Sequence, residues 1–363
     1  MFNRTWSMTK QPFLVLATLL LLSPLTACGG GQPTTETTPA QESSSKVSGS
    51  RLATIKERGT LICGVNGEVP GFSFVDEQGQ YSGLDVDMCR AIAAALFDDP
   101  SKVEYRKLSA QERLTAVQSG EVDVLNRNTT WTMSRDTAVG MEFAPTVFYD
   151  GQGIMATKAS GANTLKDLTG KSICVLAGTT TEQNLADQMR KEGVTDYNPV
   201  VSDDVDALYA AYQEGRCEAV TSDRSQLVAR RSIFPKKDDH VILDVVMSKE
   251  PLGPVVADGD STWYDAVKWI TFAVIQAEEF GITSQNLATF ESTEDPNIKR
   301  FLGIDDKLGE DMGLPNDFAA RIIKHVGNYG EIYERNIGKP LGLERGQNQL
   351  WTNGGLLYSP PFR

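Results

Sequence analysis

Asn126 to Asp136 is the stretch of this sequence whose residue types best suit the binding of a small charged molecule. Asn128 and Thr130 place small polar side chains directly after a short apolar strand pattern. Arg135 follows shortly afterwards, and its planar guanidinium group suits two parallel hydrogen bonds to one carboxylate. Alone, the stretch is equally typical of a strand-to-helix turn with a solvated arginine. Because two more polar turns follow later strands, we interpret it as part of a binding site.

Those two turns are Gly178-Thr179-Thr180 and the position of Asp223. The glycine and threonines precede a predicted helix, whose first backbone amides have no partner within the helix and suit a carboxylate or carbonyl oxygen. The lysine and serine or threonine that would follow the second glycine of a phosphate-binding loop are missing. Asp223 follows a buried strand pattern and has several acceptor sites. In both turns the alternative is that the side chains only cap the helix that follows.

Alternating strand and helix patterns position these turns. The alternation runs from Leu61 to Leu125 and again from Ser172 to Thr221. It predicts two α/β units with parallel sheets, whose ligands bind at the carboxyl ends of the strands. Phe143 to Met155 predicts a long segment that crosses between the units, and Gly253 to Ala257 predicts a strand that returns to the first unit. From Ser261 onward the pattern is helical.

The start of the chain predicts a targeting segment. Residues 1–27 have a positively charged beginning and an apolar run, Phe13 to Leu22, that is too short for a permanent membrane span. Leu25-Thr26-Ala27-Cys28 looks like the cleavage and lipidation site of a lipoprotein, so we predict a lipid on Cys28. The alternative is an ordinary secretory leader with an incidental cysteine. Residues 28–50 predict a flexible tether, and the lipid is expected to be the only attachment to the membrane.

Composition limits the remaining possibilities. The chain has 363 residues, 40% hydrophobic and 23% charged, as expected for a globular protein with room for two domains. Its net charge of −13 argues against nucleic acid or an anionic membrane surface as the main partner. Four cysteines remain besides Cys28, and in an exported protein they favour disulfides in any of three connectivities. With two histidines and no metal-site cysteine spacing, we predict neither a metal nor another cofactor.

Three motifs, in their order along the chain, carry a resemblance to a known family. They are Gly83-Leu84-Asp85-Val86-Asp87 before a predicted helix, Asn128 to Asp136 with the pattern NTTW-x-x-x-RD, and the tail Leu350 to Gly355. From about Leu52 onward the chain resembles solute-binding proteins of polar amino-acid ABC importers, especially the general L-amino-acid-binding branch. The resemblance implies an α/β, bilobal type II periplasmic-binding-protein fold, with two βα lobes joined by two hinge strands. It assigns 51–149 and 253–363 to the first lobe and 150–252 to the second.

The resemblance also implies roles for the polar turns. It places Arg135 on the α-carboxylate of an L-amino acid, helped by Thr130 and the amide of Thr180. It places Asp223 on the α-ammonium group, with Asn128 and the Gly178-Thr179 turn nearby. This division suits a zwitterion, which needs one cation and one anion. Phe72 is a candidate lid over the ligand side chain, although an aromatic residue at that position is also typical of ordinary core.

A lipid-anchored monomer in the periplasm or at the cell surface follows from these interpretations. It would deliver amino acids to the permease subunits of an ABC importer by closing its cleft. Within the lobe assignment we predict the disulfides Cys63–Cys89 and Cys174–Cys217, since each joins neighbouring elements of one lobe and leaves closure free. The main alternative is an enzyme on the same fold, such as a dehydratase or lyase acting on a small carboxylate. It would need a general acid or base in the cleft, for which only Glu68 and Asp223 are candidates. Because the resemblance already assigns Asp223 to the α-ammonium group, we predict a binding protein.

Overall fold

Two five-stranded sheets organise the part of the chain that the computed structural model describes, residues 50–363. The strands of the first sheet, from edge to edge, are β5 (Val103–Lys107), β1 (Leu61–Val65), β6 (Val124–Leu125), β15 (Val255–Ala257) and β7 (Met141–Phe143). Those of the second are β11 (Asn198–Ser202), β10 (Ser172–Leu176), β12 (Ala219–Asp223), β9 (Gln152–Thr157) and β13 (His240–Ile242). Each sheet is the centre of one lobe, which confirms the predicted bilobal α/β fold.

The lobes are connected by a two-stranded antiparallel sheet of β8 (Phe148–Asp150) and β14 (Glu250–Leu252). Asp150 lies opposite Glu250 in this pair, so the two passages of the chain between the lobes run side by side. A further small sheet in the first lobe contains β2 (Glu68–Val69), β3 (Ser73–Val75) and β4 (Tyr81–Ser82).

The α-helices of residues 50–363 are α1 (Arg51–Arg58), α2 (Leu84–Phe97), α3 (Arg113–Gln118), α4 (Thr180–Lys191), α5 (Val205–Gln213), α6 (Arg224–Ser232), α7 (Ser261–Glu279), α8 (Pro296–Phe301), α9 (Leu308–Asp311), α10 (Phe318–His325), α11 (Tyr329–Tyr333) and α12 (Lys339–Leu341). Helices pack against both large sheets, α2 and α3 against the first and α4, α5 and α6 against the second. Local sequence explains several helix starts, because Asp204 and Asp260 accept hydrogen bonds from the first turns of α5 and α7. Twelve of the fourteen residues of α2 are buried, and its several alanines allow neighbouring elements to pack closely around it.

The strand directions agree only partly with the predicted parallel sheets. β1 pairs in parallel with β5 and β6, and β10 pairs in parallel with β11 and β12. The strands that come directly from the hinge, β15 and β9, are antiparallel to their neighbours because no crossover helix reverses the chain before them. The predicted return of Gly253 to Ala257 to the first lobe is confirmed by the pairing of β15 with β6 and β7.

Both disulfides that the sequence analysis paired are present. Cys63 of β1 is joined to Cys89 of α2 with their Cα atoms 6.3 Å apart, and Cys174 of β10 is joined to Cys217 with a Cα separation of 5.7 Å. Each bridge therefore lies within one lobe.

The C-terminal segment holds the first hinge strand. The Asn348 side chain accepts a hydrogen bond from the Tyr149 amide at 2.6 Å and donates one to the Tyr149 carbonyl at 3.2 Å. The Tyr329 hydroxyl donates to the carbonyl of Val147 at 2.6 Å. These contacts attach the beginning of the hinge to the helical part of the first lobe.

The predicted signal peptide, the lipidation site Cys28 and nearly all of the predicted tether lie outside the described residues. Within residues 50–363, no helix combines the length and apolar character needed to cross a membrane.

Candidate functional site

Polar residues from both lobes meet at the carboxyl ends of β6, β10 and β12 and line a narrow cavity. The cavity-lining residues include Arg113, Arg127, Asn128, Thr130, Thr179, Thr180, Asp223 and Gln226. Five of the seven predicted ligand-binding residues are therefore at its surface. The other two are neighbours of cavity-lining residues. Gly178 directly precedes Thr179 in the sequence, and the Arg135 side chain donates to the Thr130 carbonyl at 2.8 Å.

Asn128 has an unusual backbone conformation, with a φ of 27°, in the left-handed region that asparagine tolerates better than most residues. Its amide donates to Asp85 at 3.0 Å, so the start of α2 holds the loop in place. Its side-chain amide donates across the cleft to Gln226 at 3.1 Å and to Asp223 at 3.4 Å. Burial raises the pKa of Asp85 to about 6, partly offset by the Asn128 amide and by Arg127.

Asp223 is the last residue of β12 and precedes α6, yet its side chain makes no capping hydrogen bond to that helix. Its hydrogen bond from Asn128 is long, at 3.4 Å, and the residue is 6% exposed. Burial raises the pKa of Asp223 well above its usual value, and the nearby carboxylates of Asp150 and Glu250 raise it further. A cation in the cavity would remove much of this cost, because it would stabilise the ionised form.

Gly178 and Thr179 form the turn that begins α4, and Thr179 also lines the cavity. The Thr179 hydroxyl accepts the Glu182 amide at 3.2 Å as the cap of α4 and donates to the Leu176 carbonyl at 2.6 Å. The Gly178 amide donates to the Glu182 carboxylate at 3.0 Å. Both residues are therefore engaged in the start of α4, which is the capping alternative that the sequence left open.

Glu250 is a residue of this site that the sequence analysis missed. Its Oε2 accepts hydrogen bonds from the hydroxyls of Thr130 at 2.6 Å and Thr180 at 2.9 Å. Its Oε1 accepts Asn184 Nδ2 at 2.9 Å and the Ser248 hydroxyl. Since a hydroxyl has one hydrogen, the Thr130 and Thr180 hydroxyls are not available to donate to a ligand carboxylate in this arrangement, whereas the predicted contact of the Thr180 backbone amide does not involve its hydroxyl.

Arg113 is a second residue that the sequence analysis missed. It is 3% exposed, and among residues 50–363 its Nε has no hydrogen-bond partner and its side chain makes one hydrogen bond, a 3.4 Å bond to the Thr129 hydroxyl. Burial lowers the pKa of Arg113 well below its usual value, and repulsion from Arg127 and Arg135 lowers it further. Nothing in the local sequence signals this role, because a charged residue in the first turn of a predicted helix is ordinarily solvated.

Arg127 and Arg135 add two more buried cations. Arg127 Nε donates to the Leu108 carbonyl at 2.8 Å, and burial lowers the pKa of Arg127 to about 10. Arg135 lies in a π-helix, Ser134–Ala138, and burial lowers its pKa while the carboxylates of Glu250 and Asp223 partly restore it. The site thus combines three buried guanidinium groups with the acids Asp223 and Glu250.

Phe72, the candidate lid, is not at the cavity. It is 1% exposed and packs edge-to-face on Phe148 with ring centroids 5.1 Å apart. The structure therefore corresponds to the core alternative for this residue. Glu68, a possible acid or base of the enzyme alternative, is also absent from the cavity and forms an ion pair with Lys107.

Known proteins resemble the chain over most of its length. Residues 61–285 match the bacterial extracellular solute-binding proteins, family 3. The chain is 50% identical to the general L-amino acid-binding periplasmic protein AapJ of Rhizobium johnstonii, over 88% of this chain and 94% of that protein. It is 48% identical to the glutamate/glutamine/aspartate/asparagine-binding protein BztA of Rhodobacter capsulatus, over 87% and 94% respectively.

A solved structure from Brucella ovis is similar in three dimensions as well. This ABC transporter periplasmic binding protein, which has glutathione bound, superposes with a TM-score of 0.84 at 50% identity, over 86% of this chain and 99% of that one. The two-lobed architecture, the polar cavity between the lobes and the match over most of the chain all indicate the same family. The chain belongs to family 3 of the bacterial extracellular solute-binding proteins.

Proposed function

We propose that this protein binds L-amino acids on the outer side of the cytoplasmic membrane and delivers them to the permease subunits of an ABC importer by closing its cleft. The observation that carries the proposal is the pairing, at one cavity, of a nearly unpartnered acid, Asp223, with the buried and unpaired cation Arg113. An amino acid supplies the opposite charges. The named specificities of AapJ and BztA support the same ligand class.

Within this proposal the α-ammonium group binds Asp223 and the free side-chain oxygen of Asn128, which has no hydrogen-bond partner. The α-carboxylate binds the guanidinium group of Arg135 and the first backbone amides of α4, where Thr180 begins the helix. Thr130 and Thr180 support the site through Glu250 rather than by donating to the ligand.

Arg113 indicates which ligand side chains the site prefers. A buried guanidinium group without a carboxylate partner favours a second anionic or amide group, so acidic and amide amino acids are the preferred ligands. Gln226, whose Nε2 is also buried without a partner, supplies another donor. A γ-glutamyl compound is a second candidate, because the Brucella ovis protein has glutathione bound and such a ligand presents the same α-amino-acid head.

Closure is proposed to occur between a first lobe of 51–149 and 253–363 and a second lobe of 150–252. The pairing of β8 with β14 supports these boundaries, because both boundaries then lie at the same two-stranded sheet. Contacts across the cleft support a closed arrangement: Gln111 donates to Asp203 at 2.9 Å, and Arg230 donates to the Glu68 carbonyl at 2.7 Å.

The location proposed for the protein is the periplasm or outer cell surface, in keeping with its family. The lipobox-like sequence before Cys28 supports a lipid anchor on that residue. We propose that the protein acts as a monomer, because a single chain supplies both walls of the cavity.

Titration calorimetry with a panel of L-amino acids and with glutathione tests the ligand class. We expect binding without turnover, and Asp223→Asn should weaken glutamate binding by about 2–5 kcal/mol, the usual scale for breaking a buried charge pair. Glutarate, which lacks the ammonium group, should lose far less, because it makes no contact with Asp223. Asp238→Asn, an exposed acid of the same lobe, is the matched control and should bind like the wild type.

Absence of binding to every ligand of the panel would contradict the proposed function. Wild-type affinity for glutamate in Asp223→Asn would instead contradict only the assignment of the ammonium group to that residue.

A further inference from the structure

Glu250 accepts hydrogen bonds on both of its carboxylate oxygens, and it lies on the hinge strand β14, at the end of the segment proposed as the second lobe. It is 1% exposed, and its two oxygens accept hydrogen bonds from four side chains. Such a carboxylate is stabilised only while its donors stay in place, because a buried charge without partners is costly.

The four donors come from different parts of the molecule. Thr130 belongs to the binding loop of the first lobe, and Ser248 is a neighbour of Glu250 in the hinge segment. Thr180 and Asn184 belong to α4 of the second lobe. Glu250 is therefore bonded to both lobes at once.

Only part of this network can break when the cleft opens. The binding loop is attached to the hinge strand by backbone bonds, with Thr130 bridged to Leu252 and the Trp131 amide donating to the Pro251 carbonyl at 2.9 Å. Thr130 therefore stays with Glu250. Among the described residues no backbone hydrogen bond joins α4 directly to β14, so the bonds from Thr180 and Asn184 are the ones expected to break when α4 moves away from Glu250.

We propose that Glu250 is a positioning residue for closure: it holds α4 of the second lobe against the binding loop in the closed state, whether or not ligand is present. When the cleft opens, the Glu250 carboxylate loses the hydrogen bonds from Thr180 and Asn184 and is hydrated in their place. These two bonds therefore stabilise the closed state relative to the open state. The inference rests on the proposed function for its importance to transport, but the effect itself concerns the ligand-free protein.

The network also decides between two roles for Glu250. If it competed with the ligand for the Thr130 and Thr180 hydroxyls, removing its charge would tighten binding. If it closes the cleft, removing its charge would open the cleft and speed ligand release. The bond from Asn184, a residue that does not line the cavity, favours the second role.

A crosslinking experiment measures closure without ligand. Gln111 and Asp203 contact each other across the cleft, so Gln111→Cys with Asp203→Cys in the full-length protein reports the closed state through its rate of reaction with a short bis-maleimide. We expect Glu250→Gln and Asn184→Ala each to slow the crosslinking of the ligand-free protein several-fold. Ser248→Ala is the matched control, because it removes a donor to the same oxygen as Asn184 but within the hinge segment, and its rate should match the parent.

Stopped-flow release of glutamate gives a second reading. Glu250→Gln and Asn184→Ala should release it about tenfold faster, the scale of one hydrogen bond to a charged group. Unchanged crosslinking in both variants, or tighter glutamate binding in Glu250→Gln, would overturn the proposal. If the parent protein bound no amino acid, the proposed function would fail, while the crosslinking rates would still test the role of Glu250.

Discussion

Arg113 shows how a single residue can be unfavourable for the fold and useful for binding. Its guanidinium group is buried, forms no ion pair within the part of the chain that the structure describes, and lies near the like charges of Arg127 and Arg135. Replacing a poorly compensated buried charge by an apolar side chain of similar size is often stabilising. The residue is therefore best explained by a ligand that brings the missing negative charge.

Replacing Arg113 by methionine separates these two effects. We expect Arg113→Met to raise the melting temperature of the ligand-free protein, because the buried charge is removed. The same variant should lose about 2–5 kcal/mol of affinity for glutamate and much less for glutamine, whose side chain is neutral. Thermal melting and calorimetry with both ligands give these values. An equal loss for the two ligands would contradict the proposed contact with the ligand side chain.

At this scale the sequence predicted positions better than contacts. Asn128, Thr130 and Asp223 were located at the cavity because strand ends and turn residues are readable from local patterns. Glu250 and Arg113 were not, because their roles depend on donors and charges that are distant in the chain. Thr179 was predicted in the right place, but its hydroxyl is used by α4.

Among the elements, β1 and α2 contact the binding loop through their disulfide, although both are distant from that loop in the sequence. The side chain of Asn126, at the start of the binding loop, donates to Cys63 at 3.6 Å and to Cys89 at 3.4 Å, and both cysteines belong to one disulfide. The other disulfide, Cys174–Cys217, has no such contact with the binding loop among the described residues. The two bridges should therefore differ in function.

Removing each disulfide in turn tests this difference. Cys63→Ser with Cys89→Ser, and Cys174→Ser with Cys217→Ser, should each lower the free energy of unfolding by about 2–4 kcal/mol. Only the first pair should also weaken glutamate binding, because it releases Asn126 and with it the loop that carries Asn128. Urea denaturation and calorimetry measure the two effects. Equal affinities in the two double variants would show that the bridge does not position the loop.

The elements themselves were largely predictable, since the periodic segments were long enough to separate strands from helices. Their ends were less so: the segment Phe143 to Met155, predicted as one long crossing segment, contains the end of β7, the hinge strand β8 (Phe148–Asp150) and the start of β9 (Gln152–Thr157). The antiparallel direction of β9 and β15 was also not predicted, because it follows from how the chain enters each lobe from the hinge.

For the whole molecule, the two lobes, their order and their connection could be predicted because the βα alternation is interrupted and then repeated. The contacts between the lobes could not, since they form only when two separately folded surfaces meet. The hydrogen bond from Arg230 to the Glu68 carbonyl is an example, as neither residue carries a local signal for it.

The proposed lipid anchor can be tested on the whole protein. Cys28→Ser should move the protein from the membrane fraction to the soluble fraction or leave an uncleaved leader, because no thiol remains to accept the lipid. Mass spectrometry of the N-terminus and cell fractionation measure this. The variant Cys174→Ser with Cys217→Ser should stay in the membrane fraction. A wild-type chain that begins elsewhere and carries no lipid would contradict the anchor.

The position of β15 in the first sheet has a consequence for how the protein folds after export. All strands of the second sheet come from one uninterrupted stretch, 152–242, whereas β15 lies between β6 and β7 although it follows both by more than a hundred residues. A chain that leaves the translocation channel from its N-terminus can therefore complete the second lobe while the first sheet still lacks an inner strand. We expect the first lobe to remain accessible to proteases and chaperones until residue 257 has emerged. The second lobe, 150–252, should therefore complete its folding before the first.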